Sequence, residues 1–415
     1  MADFGEILQN IGEFGRFQIL NLVVLSSSNF FYIVLIVSSL FIQSDPERHC
    51  NTDWILCADP NLTAEEQLNL TVPLELDGTY SRCQMFVPVD WDIDAIREFG
   101  LKETTGCQNG WKYNNTMYKT TIVTDFDLVC DKSHFVEVAQ SVSMAGLVLG
   151  CIIFGPFAES FGRGTLTALV WRFLFTVVTG LCPNVYLYIA SQFLQGIGNG
   201  GYQVNSVIAV KDVSQGGTKV IFRSPVLARN FSIIVLTWFS INLSAFCLYF
   251  DMGSLGLNIF LTQLLFGAIE IPAYILCIWL LEFVGRKVSL MSTALTSVLL
   301  SVLILAVPQG YPIAATSLAV ATRFFFILGL GTCNVFVQEL FPTSVRQTAT
   351  GLGATAGRSG GIFAPLVNML SRFHWVLPIT FFSTLLLIGG SLCFILPETR
   401  HRELPESTEE AENNK

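Results

Sequence analysis

The stretches GPFAESFGRG (155–164) and LLEFVGRKVS (280–289) share the pattern E-x-x-G-R, and each follows the second apolar segment of its half of the chain. Glycine permits a tight turn there, while the glutamate and arginine can pair with charged groups or helix ends. Ordinary charge at a membrane face is the alternative explanation. We interpret the repeat as two conformational-switch turns in a duplicated architecture. The residues concerned are Glu159, Gly162, Arg163, Glu282, Gly285 and Arg286.

The composition indicates a membrane protein that crosses the bilayer many times. Of 415 residues, 52% are hydrophobic and 13% charged, whereas about 25% of the residues in soluble domains are charged. Apolar segments of about 20 residues, the length that spans a hydrocarbon core, predict an all-α polytopic fold of about ten helices. They lie near 18–42, 138–158, 165–183, 187–210, 230–250, 256–283, 288–308, 312–335, 347–370 and 375–397.

Basic residues in short loops predict that both termini are cytoplasmic, because Lys and Arg are retained on that side. The short loops on the opposite side contain only Arg372. The net charge of −9 resides mainly in one long loop and the C-terminal tail, and it does not indicate a nucleic-acid partner.

The long polar loop, 43–137, is expected to be extracellular. It contains glycosylation sequons at Asn61, Asn69 and Asn114, which are used only on a lumenal or extracellular face. Five cysteines lie in the loop, and four of them can pair in three ways. The disulfide candidates are Cys50, Cys83, Cys107 and Cys130, with Cys57 left over.

The two halves differ in length, since four predicted helices precede the polar stretch 211–229 and six follow it. An even number of missing helices leaves the orientation of the second half unchanged. The predicted domains are a cytoplasmic tail, a first bundle that includes the extracellular loop, a cytoplasmic linker, a second bundle and an acidic cytoplasmic tail. Their bounds are 1–16, 17–210, 211–229, 230–397 and 398–415.

Motifs along nearly the whole chain resemble those of solute carrier family 22, the organic anion, cation and zwitterion transporters of the major facilitator superfamily. The motifs are IGEFGRFQ (11–18), DLVCDKSH (127–134), FRSPVLARN (222–230), LTQLLFGAIEIPA (261–273), ELFPTSVRQT (339–348), GRSGGIFAPLV (357–367) and LPETR (396–400). The resemblance implies a two-bundle carrier, and it places Glu339 and Arg346 at a further switch turn. It also implies that the fifth and sixth helices are absent, between about 210 and 219.

Arg358 is the main candidate for substrate binding. A charge at the centre of a membrane helix costs about 2.5–3.5 kcal/mol, so Arg358 is expected to face a cavity rather than lipid. Gly353, Gly357 and Gly361 form a stripe that allows close helix packing. Members of the resembled family that carry anions have arginine at this position. The alternative is an arginine satisfied by helix carbonyls or by Glu270, with a packing role only.

Five other residues complete the predicted substrate site. Arg323 is a second embedded positive charge, and Glu270 is either its counter-ion or that of another basic residue, or is exposed to water. The resemblance places Phe246 and Tyr249 on a substrate-contacting helix. It also places Tyr274 where the family often has a basic residue.

The sequence predicts a plasma-membrane carrier of small organic anions, such as aromatic carboxylates, urate-like heterocycles or nucleotide-like anions. The resemblance implies facilitated exchange against a second anion. Two alternatives remain: a shortened membrane protein that does not transport, and a carrier of organic cations or zwitterions if Glu270 faces the pathway. Beyond substrate and lipid we expect no cofactor, enzymatic activity or metal site, since the four histidines lack ligand spacing.

Overall fold

A computed structural model describes the backbone of residues 41–43, 45–75, 79–113, 120–161, 164–208, 221–251, 258–308, 310–400 and 405. Side chains are not described for 154–161, 164–169, 202–208, 343, 344 and 347. The predicted first helix, 18–42, therefore lies almost entirely outside the described residues, as do Asn114, Gly162 and Arg163. The chain divides into two compact units, Val34–Val136 and Met1–Ile33 with Glu137–Lys415.

Short helices and strands joined by two disulfides form the smaller unit. Its helices are α1 (Ala64–Thr71), α2 (Ile93–Phe99) and α3 (Ile122–Asp125). Strand β1 (Arg48–Cys50) pairs antiparallel with β4 (Trp111–Tyr113), and β2 (Gln84–Phe86) pairs antiparallel with β3 (Thr104–Gly106).

The disulfides join the four candidate cysteines as Cys50–Cys107 and Cys83–Cys130. Cys57 is exposed and free, so the structure selects one pairing among the three that the sequence left open. Asn61 and Asn69 are both exposed. Their glycosylation stays a prediction.

The larger unit is helical. Its helices are α4 (His134–Phe161), α5 (Gly164–Gly180), α6 (Val185–Ile208), α7 (Pro225–Phe250), α8 (Ile259–Ala268), α9 (Glu270–Phe283), α10 (Arg286–Ala306), α11 (Pro312–Leu340), α12 (Thr343–Arg358), α13 (Gly360–Asn368) and α14 (Val376–Leu392). Within the described residues, six segments are long and apolar enough to cross a membrane. These are Cys130–Ile153, Pro225–Phe250, Ile259–Phe283, Arg286–Ala306, Pro312–Leu340 and Val376–Ile395.

Several helix bounds differ from those predicted. Helix α7 begins at Pro225, inside the expected linker 211–229, because the hydroxyl of Ser224 accepts a hydrogen bond from the amide of Leu227 and proline suits the first helical position. The predicted helix 256–283 is interrupted at Ile269. The nearby Pro272 has no N–H to donate to the preceding turn.

Glycines allow close helix contacts in both halves. In GIGNGG (196–201), a methyl group added to Gly196 or Gly200 would collide with the backbone of α4. The stripe predicted at Gly353 and Gly357 packs against the ring of Trp238 on α7. The predicted role of these glycines in close packing is confirmed.

Helix α7 is the centre of the second half, where it packs against α11, α12, α13 and α14. Sixteen of its residues are buried. An apolar core forms where Leu243 and Cys247 of α7 meet Ala364 and Val367 of α13 and Phe382 of α14. This packing fixes α12 and α13, which carry Arg358 and its neighbours, against the helix that carries Phe246 and Tyr249.

Candidate functional site

Arg358 lies where the first half of the chain meets the second. It is the last residue of α12, because the helix is interrupted at Ser359, and not in mid-helix as the sequence suggested. Its guanidinium lies near the thiol of Cys151 on α4, and that thiol donates to the carbonyl of Gly200. The side chain is half-buried. Arg358 therefore occupies an interface between two helical halves, which is the kind of place where a transport pathway runs.

Arg358 is not neutralised by a carboxylate in the described part of the chain, where the ion pairs involve other residues. Glu270, the partner considered from the sequence, binds Arg323 instead. Arg358 thus keeps a positive charge for which the described residues supply only a thiol.

Glu270 and Arg323 form an ion pair between α9 and α11. The Nη2 atom of Arg323 lies 3.0 Å from Oε1 of Glu270, and its guanidinium carbon lies 5.8 Å from the centroid of the Tyr249 ring. The Nε atom of Arg323 is buried and has no hydrogen-bond partner in the described residues. The structure thereby brings three of the six predicted binding residues into one cluster.

The last two predicted binding residues, Phe246 and Tyr274, differ in how far they are buried. Phe246 on α7 is half-buried, and its ring stacks on Phe250 at a centroid separation of 6.0 Å. The ring also packs against Gly361, where an added Cβ would lie 3.3 Å from it. Tyr274 on α9 has 54% of its surface exposed. Phe246 therefore lies against Gly361, three residues after Arg358 in the chain, whereas Tyr274 is not enclosed.

A second cluster of charges lies at the turn LLEFVGRKVS. Arg286 donates through Nη2 to Oε1 of Glu339 at 2.6 Å. The backbone amides of Arg286 and Lys287 donate to the two carboxylate oxygens of Glu398 at 2.8 and 3.0 Å. The hydroxyl of Thr399 donates to Glu339 at 2.7 Å. The network ties the start of α10 and the end of α11 to the chain beyond α14.

Other predicted switch residues have different positions. Glu282 is exposed, while Gly285 has φ +97°, a left-handed conformation that favours glycine. Arg346 donates through Nε to the carbonyl of Phe341 at 3.2 Å. In the first copy of the turn, the Glu159 side chain, Gly162 and Arg163 lie outside the described residues.

Sequence reasoning missed Cys151, Glu398 and the ion pair between Glu137 and Arg372. The motif LPETR pointed to Glu398 only as a mark of resemblance. The seven-residue spacing that places Glu137, Met144 and Cys151 on one face of α4 was a signal available in the sequence.

Comparison with known proteins shows the family of the chain. The family described as sugar (and other) transporter matches residues 91–218 and 248–411, which is more than half of the chain. Human solute carrier family 22 member 13 is 29% identical, with 99% of this chain and 94% of that protein aligned. Solute carrier family 22 member 6-B of Xenopus laevis is 27% identical over 99% of this chain and 95% of its own length.

A solved structure, the crystal structure of a D-xylose–proton symporter, is 14% identical and matches 66% of this chain and 90% of its own, with a TM-score of 0.49. The alignment with the human relative extends over 517 positions, whereas this chain has 415 residues. That relative therefore contains sequence that has no counterpart here.

Proposed function

The chain belongs to the sugar (and other) transporter family of the major facilitator superfamily, and we propose that it carries small organic anions across the plasma membrane by alternating access. It is a multi-pass membrane transporter related to solute carrier family 22. Its substrate class, the exchange of one anion for another, and the cytoplasmic position of both termini are parts of this proposal. So are the domain bounds predicted from the sequence, with the start of the second bundle moved to Pro225.

The position of Arg358 carries the proposal. An arginine side chain is charged at every physiological pH and binds a carboxylate through two parallel hydrogen bonds. At 4 Å and an effective dielectric constant near 20, the attraction is about 4 kcal/mol. A partly dehydrated positive charge between two helical halves favours an anion and repels an organic cation.

Aromatic side chains of α7 support an anion that carries a flat apolar group. Phe246 contacts the helix that follows Arg358, and Tyr249 lies one turn further along α7, where Phe250 packs edge-on against it at 5.9 Å. Rings of this kind bind the faces of aromatic ligands. Aromatic carboxylates carry both the negative charge that an arginine binds and the flat ring that such side chains bind.

The cation-carrier alternative is weakened by the partner of Glu270. That carboxylate would have to bind the substrate cation, but it is already joined to Arg323. A cation would therefore compete with a guanidinium that the fold holds in place.

The alternative of a non-transporting protein is favoured by one observation, the shortness of the first half. Helix α6 ends at Ile208 and α7 begins at Pro225, while the aligned relative is longer. A first half without two helices could be inserted in the membrane and yet be unable to move against the second half.

Uptake by cells that display the chain separates these possibilities. Labelled aromatic carboxylates, one nucleotide-like anion and one quaternary ammonium compound would be supplied, and surface protein would be measured in the same cells. We expect saturable anion uptake. Arg358→Ala should lower it about 10- to 100-fold, as for the loss of a hydrogen bond to a charged group worth about 1.5–3 kcal/mol.

Arg97→Ala is the matched control, because it removes an exposed arginine from the disulfide-bonded unit and should leave uptake unchanged. An equal loss of surface protein in Arg358→Ala would support a packing role for Arg358. Absence of all uptake at normal surface abundance would support the non-transporting alternative.

A further inference from the structure

An ion pair joins the two halves of the bundle at the end where α4 begins. The Nη2 atom of Arg372 donates to Oε1 of Glu137 at 3.0 Å. Glu137 lies in the first turn of α4, shortly after the disulfide-bonded Cys130. Arg372 ends the short 3-10 segment Met369–Arg372 that follows α13. The pair therefore joins α4, in the first half of the chain, to the segment between α13 and α14, in the second half.

Arg372 is the ion-pair partner of the Glu137 carboxylate in the described residues. Its side chain is 25% exposed, and that of Arg372 is 39% exposed. The second carboxylate oxygen, Oε2, is buried without a hydrogen-bond partner in the described residues. Separating the halves would leave a partly buried negative charge without its partner until water entered.

Below the ion pair, the two halves meet at a glycine. A Cβ atom added to Gly361 would lie 3.3 Å from Sδ of Met144 on α4 and 3.3 Å from the ring of Phe246 on α7. The absence of a side chain at Gly361 thus allows the thioether of the first half to approach the second half closely. A larger residue there would require Met144 or Phe246 to move.

The same face of α4 leads from the ion pair to Arg358. Glu137, Met144 and Cys151 recur every seven residues, which places them on one side of the helix. They contact or lie beside Arg372, Gly361 and Arg358 in turn. At 1.5 Å per residue, Glu137 and Cys151 are about 21 Å apart along the helix axis.

We propose that the Glu137–Arg372 ion pair and the Met144–Gly361 contact form an extracellular gate that closes the pathway above Arg358. The inference rests on the proposed function for its topology, in which the glycosylated, disulfide-bonded loop is extracellular. In the conformation described, Cys151 of α4 lies near Arg358 and is 5% exposed. Opening to the outside requires the ion pair to break, so the pair stabilises the outward-closed state.

Chemical labelling of Cys151 tests the gate without depending on transport. The full chain would carry Cys57→Ser, because Cys57 is an exposed free thiol. Intact cells would be treated with a negatively charged, membrane-impermeant methanethiosulfonate, and mass spectrometry would quantify the modified Cys151 peptide. Cys151 is 5% exposed, and we expect slow labelling in this parent.

Glu137→Gln and Arg372→Gln should each raise the labelling rate at least threefold. The charge swap that combines Glu137→Arg with Arg372→Glu should return it toward the parent rate, since the pair is re-formed in the reverse direction. Asp131→Asn, which removes another carboxylate near the start of α4, is the matched control and should have no effect. The amount of protein at the cell surface, and the reactivity of Cys151 toward the same reagent in the unfolded chain, would be compared for every variant.

Two results would overturn the gate: labelling at the parent rate in both single variants, or a charge swap that labels as fast as they do. Gly361→Leu provides a second measurement, because a wedge between α4 and α13 should also raise labelling even where a charge variant is poorly displayed. If labelling follows the expected pattern but no anion is taken up, the result supports the gate and contradicts the proposed function.

Discussion

Arg286 and Glu339 form an ion pair of 2.6 Å between the start of α10 and the end of α11, with only about a fifth of each side chain exposed. The repeated turn predicted a role for Arg286 in pairing. Its partner is 53 residues away in sequence and is not the glutamate of its own turn. Glu398 and Thr399 complete the cluster from the chain beyond α14.

Glu339→Gln should destabilise the protein, because Arg286 would lose its counter-charge in a largely buried place. We expect a loss of about 2 kcal/mol in the free energy of unfolding, below the roughly 3–5 kcal/mol for one partner of a fully buried pair. Thermal unfolding of the purified protein in detergent measures it. Glu282→Gln, in the exposed part of the same turn, should leave the unfolding temperature unchanged; equal effects of the two changes would contradict the prediction.

Gly285→Ala should also destabilise the turn. The residue has φ +97°, and an added Cβ would lie 3.0 Å from the carboxylate of Glu398. A left-handed conformation alone costs about 1–2 kcal/mol for a residue with a side chain. Gly351→Ala in α12 meets nothing within 4 Å and should instead stabilise its helix, by up to about 1 kcal/mol. Opposite shifts in unfolding temperature are the expected result, and two downward shifts would refute it.

Glu270→Gln should leave Arg323 with a weaker partner between α9 and α11. Because 39% of Glu270 is exposed, we expect a loss between the roughly 1 kcal/mol of an exposed pair and the roughly 3–5 kcal/mol of a buried one. The double variant Glu270→Gln with Arg323→Gln should be less unstable than the sum of the single variants. Additive losses in thermal unfolding would show that the two residues do not stabilise each other.

The disulfides of the smaller unit should be essential for its stability. Cys50→Ser with Cys107→Ser opens a loop whose ends are 57 residues apart in sequence, and removal of such a bond typically costs about 2–5 kcal/mol. Limited proteolysis should then cleave within residues 50–107, whereas Cys57→Ser should stay resistant. Mass spectrometry of unreduced peptides would check the pairing directly, and a Cys50–Cys83 peptide would contradict it.

Glycosylation should occur at Asn61 and Asn69, since both are exposed and lie in sequons of the unit that contains the disulfides. Asn61→Gln and Asn69→Gln should each lower the apparent mass by one glycan, and glycosidase treatment should remove the difference. An unglycosylated chain at the cell surface would contradict both this prediction and the extracellular position of the loop.

The membrane-protein class, most helix positions and the resemblance to a carrier family were predictable from the sequence. Hydropathy over about 20 residues is a local property, and bilayer thickness converts it directly into a span. The exact ends of helices were harder to predict, as the residues Ser224 and Pro272 show. A cap moved the start of α7 into the expected linker, and a proline near Ile269 divided a helix that hydropathy alone made continuous.

By itself, the sequence determined which residues carry charge inside an apolar chain: Arg358, Arg323, Glu270 and the two repeated turns. Only the tertiary structure decided which of them meet. It joined Glu270 to Arg323, placed Cys151 beside Arg358 and paired Glu137 with Arg372. The physical reason is that ion pairs and disulfides need atoms within a few ångströms, and that separation depends on how each helix is rotated and tilted against its neighbours, which no local pattern specifies.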